Sequence, residues 1–144
     1  MTDTILAGID GSQDSRRAVE YAMALAKSKN ARLILAYVIE WSPYTFNTPE
    51  ENENRHKRRE EEIQTVQERV LDPMLKSLAS DDLDITGVVR HGQVADVLIQ
   101  IGREQGAVQI VVGRIGQKGI TSLIFGSVVS KLIQLTDIPV TIVP

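Results

Sequence analysis

The chain has 144 residues, enough for one ordinary domain with a single substantial core, and its 42% apolar and 24% charged residues fall near globular averages. A net charge of -3 gives no basic excess of the kind that a dedicated nucleic-acid binder carries. There is no cysteine, which excludes disulfides, thiolate metal sites and thiol nucleophiles. The first residues, Met1-Thr2-Asp3-Thr4, lack the basic and apolar regions of a signal peptide. No apolar run approaches the roughly 20 residues that span a bilayer. A soluble, cytoplasmic chain of one domain over 1–144 is expected.

In chain order, Ile5-Leu6-Ala7-Gly8-Ile9 is a short apolar run that breaks at Asp10-Gly11-Ser12, as a buried strand entering a turn does. Ser12 can cap a helix, because its hydroxyl accepts from an unpaired first-turn amide. Ala18, Ala22, Leu25 and Ala26 follow on one helical face, and Asn30, which tolerates a left-handed conformation, can end that helix. Residues 33–39 form a second apolar strand. A linker from Trp41 to about Pro49 then leads into a densely charged stretch, where Ile63, Val66, Val70 and Met74 recur at helical spacing. This predicts one long helix with a wet face, kinked or restarted at Pro73, which lacks an amide and crowds the preceding turn.

Residues 85–89 read as a third strand, and Val94, Val97, Leu98 and Ile101 as the apolar face of a helix closed by Gly106. Residues 108–112 make a fourth strand ending at Gly113. A glycine-rich segment precedes a last helix, with Val128, Leu132 and Leu135 on its apolar face, and residues 140–143 make a fifth strand. Alternating strands and helices imply a mostly parallel sheet covered on both faces, with right-handed crossovers.

The chemistry concentrates after the fourth strand, where Gly113-Arg114-Ile115-Gly116 is followed after nine residues by Gly126-Ser127. Glycine lets backbone amides approach a phosphate, and Gly126-Ser127 at a helix start aims free amides and the positive dipole end at an anion. Plain strand-to-helix turns also use glycine, so the loop alone leaves both readings open. It is not a P-loop, since no Gly-Lys-Ser/Thr follows, nor a G-x-G-x-x-G dinucleotide loop. Ligands of open α/β sheets sit beyond the C-terminal strand ends where strand order reverses, and Asp10 and Gly113 both fall at such ends.

The spacing Gly113-x-x-Gly116-(nine residues)-Gly126-Ser127 resembles the ATP-binding signature of the universal stress protein family. The opening strand with Asp10-Gly11-Ser12, Gly92 before a helix, and Ile138-Pro139-Val140 before the last strand are similar to the family as well, so the resemblance spans the chain. It implies a single doubly wound, Rossmann-like five-stranded parallel sheet in the order 3-2-1-4-5, akin to adenine nucleotide alpha hydrolases. It further implies ATP across the ends of strands one and four, with Ile9, Asp10 and Val38 on the adenine and ribose side. Val112, Gly113, Arg114 and Gly116 would follow the ribose and phosphates, and Gly126, Ser127, Val128 and Val129 would hold the triphosphate. Magnesium would enter on the phosphate oxygens, with no protein metal site and no catalytic residue. A homodimer is implied through the exposed edge of Val140, Thr141, Ile142 and Val143, a liability unless covered. Arg114 and Ile115 depart from the small hydroxyl and basic residues usual in the family at those positions.

Other residues carry less. Arg55-His56-Lys57-Arg58-Arg59 is basic but flanked by acids, with Glu53–Lys57 and Arg58–Glu62 as helical neighbours, which reads as a solvated helix face. His56 and His91 have no companions at metal-ligand spacing. Trp41, Tyr44 and Phe46 are expected to pack the linker down, and Lys118 to face solvent. The implied function is an ATP-dependent regulator that acts with an unidentified protein partner and has at most slow hydrolysis or self-phosphorylation. The competing readings are an ATP-free interaction module and an adenylyl-transferring enzyme; Asp10-Gly11-Ser12-Gln13 supplies neither loop motif of the latter.

Overall fold

The computed structural model describes residues 2–11, 13–40, 49–114 and 126–144. The Ser12 cap, the aromatic residues of the linker, Ile115, Gly116 and Lys118 lie outside the described residues. The elements run β1 (Thr4–Ile9), α1 (Gln13–Lys29), β2 (Arg32–Glu40), α2 (Pro49–Val66), a π-helical turn (Gln67–Leu71), α3 (Asp72–Leu78), β3 (Ile85–Gly92), α4 (Val94–Gln105), β4 (Ala107–Gly113), α5 (Ser127–Leu135) and β5 (Val140–Val143). The five strands form one parallel sheet in the order β3-β2-β1-β4-β5.

Continuous apolar strands bury both faces of this sheet. Ile5, Ala7, Ile9, Leu33, Leu35 and Val111 pack on one side against Ala18, Val19, Ala22 and Ala26 of α1 and Leu71 of the π turn. Leu6, Ile34, Ala36, Val38, Ile110 and Val112 pack on the other side against Ala95, Leu98 and Ile101 of α4 and Val129 and Leu132 of α5. Alternate residues of one strand therefore feed separate cores. The helix ends follow their chemistry. Asn30 has φ 52 after α1, and Gly106 has φ 65 as the left-handed C-cap of α4.

Two expectations are refined. The long charged helix is broken ahead of Pro73: the amide of Asp72 bonds to the carbonyl of Gln67, five residues back, and α3 starts with proline in its first turn. Proline cannot donate to the carbonyl four residues back, so the helix widens by one residue before it restarts. The expected apolar face of α5 is corrected at its end. Leu132 is fully buried, but Leu135 is 52% exposed and Val129 takes its place in the core. Leu135 is the last residue of a nine-residue helix and has passed the margin of α4 against which that helix packs.

Candidate functional site at the C-terminal end of the sheet

In this strand order the chain leaves β1 toward β2 on one side, while β4 lies on the other. The switch point is therefore the gap between β1 and β4. Ala7 is in register with Val111, so two residues further along Ile9 lies level with Gly113. Asp10 follows β1 and Arg114 follows β4 at this end of the sheet, Asp10 half-buried and Arg114 exposed. Gly11 adopts φ 81, a left-handed conformation that turns the chain toward α1.

The N-terminus of α5 lies at the same end, because a helix that follows β4 and returns to β5 must begin above the strand ends. Gly126 is its N-cap, with no side-chain cap, and its carbonyl accepts from the amide of Ser130 at 3.1 Å. The first amides of α5 have no intrahelical acceptor. Among the described residues, a Cβ added at Gly126 would meet nothing within 4 Å. Ser127 is exposed, Val128 half-buried and Val129 buried. Free first-turn amides and the positive end of a helix dipole are groups that can meet an anion. Among the described residues no group of three or more His, Cys, Asp or Glu could hold a metal ion.

The candidate residues differ in what they can offer. Ile9, Val38, Val112 and Val129 turn their side chains into the two cores, which leaves only their main chain for a ligand. The amide of Arg114 donates to the carbonyl of Val143 at 2.8 Å, which extends the β4–β5 ladder. Arg114 can therefore approach a ligand with its side chain but not with that amide. Gly113 is half-buried at the strand end.

Several residues at this end escaped the sequence pattern. Tyr37 stands opposite Ile9 in β2, and burial together with the nearby Asp10 carboxylate raises its pKa above the ordinary phenol value. Lys131 of α5 bonds to Asp96 in the first turn of α4, Nζ to Oδ2 at 3.0 Å. His91, the penultimate residue of β3, hydrogen-bonds Glu62 of α2 at 2.9 Å and ties that helix to the sheet edge. Glu62 thus reaches the sheet, in addition to being the expected helical neighbour of Arg58, and His56 pairs with Glu60 one turn on. A polar cleft of about 700 Å³ lies at the opposite end of the strands, lined by Asp3, Thr4, Arg32, Asp84 and Gln105 among others. Arg32 crosses it, bonding Thr4 Oγ1 at 2.7 Å and Gln105 Oε1 at 2.9 Å.

Comparison with known proteins decides the family, since the family model described as "Universal stress protein family" matches residues 1–144. The chain belongs to the universal stress protein family. The universal stress protein YxiE of Bacillus subtilis is 28% identical over 152 residues, covering 99% of each chain. Among solved structures, UspA from Lactobacillus plantarum superposes with a TM-score of 0.80 at 17% identity, covering 99% of this chain and 97% of that one. Another universal stress protein, solved in complex with cAMP, has a TM-score of 0.66 at 26% identity and covers 99% of this chain and 97% of its own. Among the described residues no helix of this universal stress protein is long and apolar enough to cross a membrane.

Proposed function

We propose that this universal stress protein binds ATP at the C-terminal ends of β1 and β4 and acts as a nucleotide-dependent regulator rather than a fast enzyme. The reading rests on one observation: Asp10, Gly113 and the uncapped N-terminus of α5 at Gly126 converge on the switch point of the sheet. Asp10 would accept from ribose hydroxyls, with main chain of Ile9 and Val38 beside the base. Gly113, Arg114 and Gly116 follow the ribose and first phosphate. Amides of Ser127, Val128 and Val129, with the Ser127 hydroxyl, take the outer phosphates. The cAMP complex of a relative at 26% identity supports an adenine nucleotide as the ligand class.

The second part of the proposal is assembly. Among the described residues strand β5 pairs with β4 alone, so no strand covers its outer edge at Val140, Thr141, Ile142 and Val143, all half-exposed. A second copy pairing antiparallel along this edge would cover it. ATP bound between β1 and β4, two strands from that edge, would then bias the dimer and be read by a protein partner; such a regulator needs only different affinities for two states.

The test is a melting curve with and without ATP and magnesium, for wild type and for Gly116→Asp combined with Ser127→Ala. Ligand at a hundred times its dissociation constant adds about 2.7 kcal/mol, which raises Tm by roughly 5–10 °C in a domain of this size. The rise should vanish in the double variant. A wild type that ignores ATP contradicts the proposal and leaves the ATP-free interaction module.

A further inference from the structure

Lys131 is the one titratable side chain of α5. It stands four residues after Ser127, one turn along the same helix face, roughly 6 Å by helical rise. Helical side chains lean toward the N-terminus, so the stem of this lysine starts out on the side of the exposed Ser127. Its ammonium does not stand alone there. It bonds to Asp96 of α4 at 3.0 Å, and the two side chains are 44% and 52% exposed. Helices α4 and α5 pack side by side over one core and both begin at the C-terminal end of the sheet. The pair therefore links the first turn of α4, where a carboxylate is favoured, to the middle of α5. An ion pair this exposed contributes little to stability, so neither helix depends on it.

We infer that Lys131, in the middle of α5, is a further phosphate-binding residue, and that Asp96 is its internal competitor, released when a polyphosphate enters. The inference rests on the nucleotide reading of the site and adds to it a residue and a selectivity. A lysine one turn behind Ser127 meets the outermost phosphates, so it favours the triphosphate over the monophosphate. Removing Asp96 frees the ammonium and strengthens binding, whereas removing Lys131 weakens it. Two substitutions in one ion pair thus act with opposite sign, which a structural strut would not produce.

Equilibrium binding of ATP and AMP with magnesium to wild type, Lys131→Gln, Lys131→Arg and Asp96→Asn tests this. Loss of a charge-assisted contact at an exposed site should weaken ATP about tenfold in Lys131→Gln, and release of an exposed pair should tighten it about two- to fivefold in Asp96→Asn. Lys131→Arg should retain most of the ATP affinity, and the ratio of ATP to AMP affinity should fall in Lys131→Gln. Weaker ATP binding in Asp96→Asn would make the pair a strut and overturn the inference, as would a Lys131→Gln variant that binds like wild type. A wild type that takes up no adenine nucleotide overturns the nucleotide reading itself, and the inference with it.

Discussion

Two glycines at the same end of the sheet should respond oppositely to alanine. Gly92 ends β3 with φ 147, and a Cβ there would come within 2.6 Å of Cγ2 of Val97, a buried residue of α4. A backbone conformation that side chains rarely adopt costs roughly 1–3 kcal/mol, and forcing a methyl into a packed site costs about 1–3 kcal/mol. The two overlap, because relaxation of one relieves the other, so Gly92→Ala should lose about 2–4 kcal/mol in all. For a chain of 144 residues that is a fall in Tm of roughly 6–12 °C. Gly126 has φ -48 and open space around its Cβ, so alanine there should cost only about 0.5–1 kcal/mol as a poorer N-cap. Its methyl would take space that a phosphate needs at the start of α5, so on the proposed reading ATP affinity should fall at least about tenfold through lost phosphate contacts. Differential scanning calorimetry and isothermal titration of both variants provide the comparison. Equal losses of Tm, with ATP binding by Gly126→Ala unchanged, would make Gly126 an ordinary turn residue and refute the phosphate cradle.

Further expectations concern the body of the fold. Leu132→Ala should destabilise by about 2–5 kcal/mol, whereas Leu135→Ala, three residues on but half-exposed, should cost less than about 1 kcal/mol in urea unfolding. Asp82 and Glu104 have folded pKa values held below the ordinary carboxylate range, Asp82 first by the Ser80 hydroxyl and Glu104 first by Arg90. Their contribution is present above the unfolded pKa and is lost as pH falls through the folded value, so Ser80→Ala and Arg90→Met should flatten the acid limb of a stability–pH curve. Tyr37 should titrate above the ordinary phenol value by ultraviolet absorbance, and Asp10→Asn should bring it only part of the way back, because burial is the larger cause.

Much of the fold was legible in the sequence because its signals are local. Five apolar runs of strand length, separated by helical periodicity, state a parallel sheet, and Asn30 and Gly106 mark helix ends by a conformation that few residues accept. The strand order came with the family resemblance. Pro73 announced a break, but its form, a π-helical turn seating Leu71 against Gly87 of β3, depends on packing that no window of sequence contains. The same holds for the polar pairs: Glu62 and His91 are 29 residues apart, and Asp96 and Lys131 are 35 apart. The glycines of the site were visible because their spacing is sequential. Tyr37 was not, because its meaning arises only when β2 is laid beside β1 and the ring comes to lie under the Asp10–Gly11 turn.

The location of the site is tested most directly by amide chemical shifts of isotope-labelled protein on addition of ATP and magnesium. Changes should concentrate at Asp10, Gly11, Gly113, Ser127 and Val128, with Thr4, Arg32 and Gln105 at the other end of the strands unmoved. Changes clustered around Arg32 and Gln105, or none at any residue under saturating ATP, would contradict it.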